Sequence, residues 1–470
     1  MCNRWRLTLL GYVFLLSPGL EGCGGSSDNQ AGPFTAQTLE NGSVANSGGP
    51  RGPVGPGVGV PANFLPPEVS PTSTPSPAIF PQMELISQLG LETSRFGPGI
   101  SGDGSVIAYV YDASASTGDY YLSILDRRSG ARDNILLPPD SVIPDKIDIS
   151  DDGRYVAFLA GDGLAVGDDP NPSDTVNDIY VLDRQTNTIE RVSRTSTGGE
   201  LDARTQWPAI SGDGRYVAYM SQASNLFPES SNFDNDIFLY DRVTGLTQRA
   251  SSGLGGVEAS ARSELPAISG DGRLVSFTSY ANNLVAGPIS TIPQGYIWDR
   301  ITDTVERVAL GFDGQPLNMS TGIVQLNHDG TTLAFFTLAS NVSADAPSGG
   351  LFVKYRDSGQ VHLISSGAGS GGFGLSGDGR FLTYIDFADN GIDGELPGVA
   401  DVFVRDLSTG ATRLVSTGSL GPSNGNSQAV LSRPIARNGA YIVFQSSATN
   451  LATGLTGSVE VFAGANPFLR

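Results

Sequence analysis

Apolar and polar positions alternate along this chain in short runs, and the runs return in a fixed order. In the clearest stretch, Pro208-Ala209-Ile210-Ser211 leads through Gly212-Asp213-Gly214-Arg215 into Tyr216-Val217-Ala218-Tyr219-Met220. Aromatic and β-branched residues bounded by Asp-Gly turns predict two strands joined by a tight hairpin, because such turns need residues that tolerate positive φ. A loop over 221–235 follows. A third strand is predicted at Asp236-Ile237-Phe238-Leu239-Tyr240, a turn at Asp241-Arg242-Val243-Thr244-Gly245, and a fourth strand at Gln248-Arg249-Ala250-Ser251. No segment shows sustained helical periodicity, so the chain reads as all-β.

The unit recurs. Ile100-Ser101-Gly102-Asp103-Gly104 returns as Ile149-Ser150-Asp151-Asp152-Gly153, as Ile210 to Gly214 and as Ile268 to Gly272. It then loosens to Leu326-Asn327-His328-Asp329-Gly330, returns as Leu375 to Gly379, and fades at Ile435-Ala436-Arg437-Asn438-Gly439. The closing glycines are 49, 61, 58, 58, 49 and 60 residues apart. Repeats of this length indicate a solenoid, propeller or array. Four antiparallel strands per repeat, arranged radially, make a β-propeller, here of seven four-stranded blades. The last repeat ends after a third strand near Val459-Glu460-Val461-Phe462, whereas Glu84-Leu85-Ile86-Ser87 precedes the first repeat and reads like a fourth strand. The seventh blade is therefore expected to be completed by an N-terminal strand near 84–88, which covers an edge otherwise left open. The propeller is assigned to 83–470.

Residues 1–22 read as a secretory signal, with Arg4 and Arg6 before the apolar run Leu7 to Leu16. Leu20-Glu21-Gly22-Cys23 resembles the bacterial lipoprotein processing box, in which the cysteine is lipidated. Glu21 departs from the small or apolar residue usual there, and an uncleaved signal-anchor is the alternative. The chain has two cysteines, Cys2 and Cys23, and lipidation gives the second a purpose. Residues 23–82, dense in Gly, Pro, Ser, Asn and Thr, are expected to be a disordered tether that buries too little apolar surface to fold.

The repeated Ile-Ser-Gly-Asp-Gly-Arg-Tyr-Val-Ala-Tyr, with Asp-Ile-Phe-Leu-Tyr-Asp-Arg and Thr-Gly downstream, resembles the WD40-like (PD40-type) repeats of TolB-type propellers over about 83–470. The TolB family is periplasmic, part of the Tol–Pal system, with a separate N-terminal α/β domain. Here the tether stands in that place, so membership of that system is not implied. The resemblance implies a bacterial envelope propeller, often a platform for protein interaction. The propeller of prolyl-oligopeptidase-type peptidases is also similar, but their separate catalytic domain has no counterpart in this chain.

Charge narrows the partners. The formal net charge of −20 disfavours nucleic acid and anionic membrane surfaces. In a propeller, the turns between strands one and two and between strands three and four share one face. Here these are short and uniform and read as structure; the Asp of the Gly-Asp-Gly turn (Asp103, Asp213, Asp271, Asp378) is a turn-capping residue, and the repeated Asp183-Arg184, Asp241-Arg242 and Asp299-Arg300 read as turn caps and blade-to-blade pairs. The opposite face carries loops that vary, and is the expected functional face. Two of them are acidic. Asp168, Asp169, Asn171, Asp174 and Asp178 in the second blade, and Asp386, Asp389 and Asp393 in the sixth, supply oxygen ligands of the kind Ca²⁺ takes. They do not follow an EF-hand spacing, and a solvated acidic loop or a surface for a basic protein patch is the competing reading.

The body lacks cysteine and the chain has two histidines, which excludes a multi-histidine metal centre and a cysteine nucleophile. His328 stands where other repeats have Gly, and His362 aligns with Glu190 and Glu306 on a fourth strand; the two are not expected to share a site. Gly421-Pro422-Ser423-Asn424-Gly425 spells a nucleophile elbow but lacks the strand-turn-helix context that motif needs. The expected protein is a monomeric, non-catalytic envelope lipoprotein that binds a protein or other envelope component through its variable loops. It requires no cofactor, Ca²⁺ being the one candidate, and sits at the outer membrane facing the periplasm or exported to the surface. A carboxylate-dependent glycan-active hydrolase or lyase is the alternative, since paired carboxylates need no histidine.

Overall fold

The computed structural model describes residues 83–470, except 90–93, 114–118, 139–140, 142–145, 162, 166–176, 228–232, 345, 347, 388–397, 430–432 and 470. The signal and tether assigned to 1–82 lie outside the described residues. Among those described, no helix is long and apolar enough to cross a membrane.

Seven four-stranded antiparallel sheets follow one another, and a two-stranded hairpin, Thr417–Gly418 with Gly421–Pro422, sits between the sixth and seventh. The chain is a seven-bladed β-propeller. Blade 3 shows the pattern: Thr205–Ile210, Tyr216–Ser221, Asp236–Asp241 and Leu246–Arg249 lie side by side from the axis outward. Blade 7 is assembled from both ends of the described chain. Ser427–Ala429, Tyr441–Ser446 and Glu460–Ala465 come from the C-terminal side, and Met83–Leu85 pairs antiparallel with Glu460–Ala465 as the outer strand.

The Ser-x-Asp-Gly turn folds locally because the side chains satisfy the backbone. In blade 3, Ser211 Oγ donates to Asp213, the Arg215 amide donates to the same carboxylate at 3.0 Å, and the Tyr216 amide donates to Ser211 Oγ at 2.9 Å. Asp103, Asp271 and Asp378 accept the same bonds in blades 1, 4 and 6. The arginine that follows the turn then folds back on the aspartate ending strand three. Arg154–Asp183, Arg215–Asp241, Arg273–Asp299 and Arg380–Asp406 are the four such pairs.

The apolar core lies between blades, not within them. The sheet of blade 2 (Leu159, Ile179, Val181) packs on that of blade 3 (Ile210, Val217, Tyr219, Phe238). Five seams carry on their polar edge the arginine that follows strand three (Arg127, Arg184, Arg242, Arg300 and Arg356), while Leu407 and Asn466 stand at that position in blades 6 and 7. Arg242 donates to its own Gly214 carbonyl, pairs with Glu190 of blade 2 at 3.0 Å and stacks 4.4 Å from the Tyr155 ring of that blade. Arg300 repeats the stack on Tyr216, and Arg356 repeats the pair with Glu306. At the closure, Arg127 of blade 1 pairs with Glu84 at 2.9 Å and lies 4.3 Å from the ring of Tyr441, both in blade 7.

One feature of the innermost strands was not anticipated. The register slips between Gln206 and Ala209 and between Glu264 and Ala267, and the residues at the slip, Trp207 and Leu265, have φ of 59° and 60°. These bulges bend the strand nearest the axis, and a bulky residue holds a left-handed conformation only where packing enforces it.

Two tests follow from the seams. Arg127→Met removes a fully buried guanidinium and leaves Glu84 unpaired, so it should cost about 3 kcal/mol in urea unfolding of the full chain; an unchanged midpoint would show that the closure carries no load. The second concerns acid. The hydrogen bond from Arg215 holds Asp241 down to about 2. A depressed carboxylate stabilises the fold above its ordinary value of 3.8 and loses that contribution as pH falls toward 2. Because Arg215 is more than a third exposed, Asp241→Asn should cost only about 0.5–1 kcal/mol at pH 6. Unfolding curves of the two proteins should converge by about pH 2.

Candidate functional site

The motif position that precedes the turn aspartate points at the axis in every blade. Its backbone forms a collar. The amides of Asp103, Asp151, Gly212, Asp271, His328, Gly377 and Asn438 donate to the carbonyls of Asp151, Gly212, Gly270, His328, Gly377, Arg437 and Gly102, at 2.7 to 3.1 Å. One bond therefore joins each pair of neighbouring blades, and the ring closes from blade 7 to blade 1.

Four of the seven collar positions are glycine, and three carry long side chains: Asp151, His328 and Arg437. The glycines make the room. A Cβ on Gly270 would collide with Arg437 and His328, and one on Gly212 with the Asp151 carboxylate. In the space so cleared, Arg437 Nε donates to Asp151, and Arg437 Nη1 approaches His328 Nδ1 at 2.5 Å. With that nitrogen accepting, the ring proton sits on Nε2. His328 and Asp151 are 3.7 Å apart. His328 thus joins a cluster with Asp151 and Arg437, which its distance in sequence from those partners conceals, and does not meet His362. His362 lies elsewhere, edge-on to Tyr355.

Below the collar, Arg433 donates to the carbonyls of Ile149 and Ile210 and lies 3.5 Å from both Asp148 and Asp151. Asp148 accepts from the amides of Ile149 and Ile210, tying blade 2 to blade 3. Lys146, fully buried, donates to the Pro266 carbonyl at 2.9 Å. Burial pushes its ammonium down to about 8, and burial together with the nearby Arg433 lowers Arg437 to about 10. A narrow cavity of about 30 Å³ lies among these groups, with an open dish of about 440 Å³ above it on the tight-turn face.

The opposite face is built on a second repeated device, which the sequence reading passed over because it judged these loops by length. Two residues after the end of the second strand comes Ala-x-Asn followed by Leu or Val: Asn225, Asn283, Asn341 and Asn450. Each Asn side chain donates to one carbonyl of the chain arriving from the preceding blade (Glu200, Glu258, Pro316 and Pro422). Each also accepts an amide two residues further on (Asp202, Ser260, Asn318 and Asn424). The roots of the loops are therefore fixed. Beyond them, large apolar side chains stand in solvent: Phe233, Leu254, Ile289, Leu310, Phe312 and Leu338, with Phe233 74% and Phe312 70% exposed.

Of the proposed Ca²⁺ ligands, Asp168, Asp169, Asn171, Asp174, Asp389 and Asp393 lie outside the described residues. Asp178 and Asp386 are buried at the loop roots. Asp178 accepts from Ser193 at 2.6 Å and faces Arg191, and Asp386 accepts from Ser365. Asp236 and Asp401 make the same contact as Asp178, tying the start of strand three to the end of strand four, whereas Asp386 ends strand two of blade 6 and bonds Ser365 of blade 5. Among the described residues no group of three or more His, Cys, Asp or Glu gathers as metal ligands would. Ser423 is buried, its hydroxyl taken by Gly425 O and Ser427.

No protein-family model matches the sequence, and no curated protein matches it. Solved structures similar to it include an oligogalacturonate lyase in complex with manganese, 12% identical with a TM-score of 0.49, covering 80% of this chain and 90% of that one. The β-propeller domain of the Trilobed protease from Pyrococcus furiosus is 13% identical with a TM-score of 0.49, covering 79% and 95%. TolB from Acinetobacter baumannii is 16% identical with a TM-score of 0.38, covering 74% and 76%.

Asn283→Ala should remove two hydrogen bonds from one loop root and cost about 1–2 kcal/mol. Hydrogen exchange should quicken at the Ser260 amide and stay unchanged in blades 5 to 7; a uniform change would mean that the clasp is not local.

Proposed function

We propose that this chain is a non-catalytic binding propeller of the bacterial cell envelope, held there through a lipid on Cys23, which captures a basic protein partner on its variable-loop face. The observation that carries the reading is the array of exposed apolar side chains on firmly rooted loops. Large exposed apolar groups rimmed by charge mark interaction surfaces. The sequence adds negative charge to loops assigned to this face, Asp168, Asp169 and Asp174 in one and Asp389, Asp393 and Glu395 in another, all outside the described residues. A partner that offers apolar anchors within a basic surround fits both features, and the net charge of −20 steers such a partner inward. The tight-turn face exposes fewer such side chains, chiefly Val243, Leu246 and Ile301 on two adjacent turns. Asp151, His328 and Arg437 at the axis are engaged with one another, which favours binding over catalysis.

The test uses the full chain in cells, with a photo-reactive residue at Phe312 or, as the opposite-face control, at Val243. The expected result is a discrete adduct with one basic envelope protein from Phe312 and none from Val243. The chain should fractionate with membranes, and a Cys23→Ser chain should not. Adducts from Val243 alone would transfer the interaction to the tight-turn face. Turnover of oligosaccharides by the purified chain would replace the binding reading with the glycan-active one.

A further inference from the structure

The axis holds more positive than negative charge. Among the described residues, Lys146, Arg433 and Arg437 bring three cations to it and Asp148 and Asp151 two carboxylates. Both carboxylates are already taken. Asp151 lies against Arg437 and Arg433, and Asp148 against Arg433 and two backbone amides. Lys146 donates to a single carbonyl and forms no ion pair among the described residues. Its one opposite neighbour, Asp148, stands beyond ion-pair distance and is shared with Arg433, and a buried charge so weakly compensated either loses its proton or recruits an ion, because the bare charge is costly in a low-dielectric interior. Burial lowers Lys146 only to about 8, so the ammonium persists at neutral pH.

Beside these cations is the narrow cavity. Its wall is formed by Lys146, Arg433 and Arg437, by His328 and Gln325, and by apolar groups such as Leu326 and Leu375. Its volume of about 30 Å³ is enough for a small occupant such as a water or a monatomic ion. We infer that this cavity is a binding site for a single halide ion, chloride under ordinary conditions, held between the Lys146 ammonium and the guanidinium groups of Arg433 and Arg437. Cations on three sides exclude a metal ion, and the partly apolar wall suits a large, weakly hydrated anion. Lys146 belongs to blade 2 and both arginines to blade 7, so the ion links two blades that are not neighbours, one on each side of blade 1. The site is independent of what the loop face captures.

The test is thermal melting of the full chain at pH 7 and matched ionic strength, in sodium chloride and in sodium gluconate. Chloride from 1 to 300 mM is expected to raise the Tm by several degrees on a saturable curve, as a ligand confined to the folded state must. Crystals grown in sodium bromide should show an anomalous peak in the cavity. Lys146→Met should abolish the chloride dependence while melting in gluconate no lower than the unmodified chain, since the substitution removes a charge that gluconate cannot reach. Equal melts in the two salts, with no bromide peak, would overturn the site and leave a water in the cavity. If Lys146→Met fails to fold, the bromide map decides alone.

Discussion

Seven backbone hydrogen bonds around one axis hold this molecule in a ring. Each is accepted by the same position of a repeat and donated by that position or the next residue of its neighbour, so the two turns must meet at that point. The position is therefore crowded before any side chain is considered. Seven side chains would not fit there; three do, because four glycines give way to them. Asp151 occupies the space beside Gly102 and Gly212, and Arg437 the space beside Gly270 and Gly377. The glycines and the charged trio are thus one solution to one steric constraint, and neither set is free to change without the other.

The remaining stabilising contacts extend the same seam outward. Moving from the axis to the rim, one meets the collar, then facing aromatic and aliphatic sheets, then the arginine that spans from its own turn to a glutamate or tyrosine of the neighbouring blade. Because the core lies between blades, no blade is stable by itself, and the ring must close for any seam to be complete. That explains why the outer strand Met83–Leu85 is tied in three ways: by pairing with Glu460–Ala465, by the Glu84–Arg127 bridge, and by Ser87 bonding to Glu460.

Much of this was legible in the sequence. The strands, the Asp-Gly turns, the count of seven and the N-terminal completion of the last blade all follow from local pattern and repetition. What escaped was anything that depends on angular position about the axis. Asp151, His328 and Arg437 are separated by more than a hundred residues in sequence, so spacing alone cannot bring them together. The clue lay in aligning the repeats by column: one column reads Gly, Asp, Gly, Gly, His, Gly, Arg. The Asn clasp escaped for a different reason. Its loops differ in length, and length drew attention away from a short string that recurs at their roots. Trp207 and Leu265 were invisible as bulge residues because nothing in their type favours positive φ; only the packed blade forces it.

Repetition in this chain serves closure, and the departures from repetition are where distinct chemistry enters. At the axis the departures are charged and inward: Arg437 is nearly covered, while Asp151 and His328 reach the open dish. On the loop face the departures are apolar and outward, set on roots that the Asn clasps hold still. A partner there meets a surface whose position is fixed and whose contacts are specific to each blade, since Phe233, Ile289 and Phe312 come from separate loops. Fixed roots lower the entropy that docking must overcome. The same geometry divides the two proposed tasks, an ion at the centre and a partner at the rim, and each rests on a different set of exceptions to the repeat.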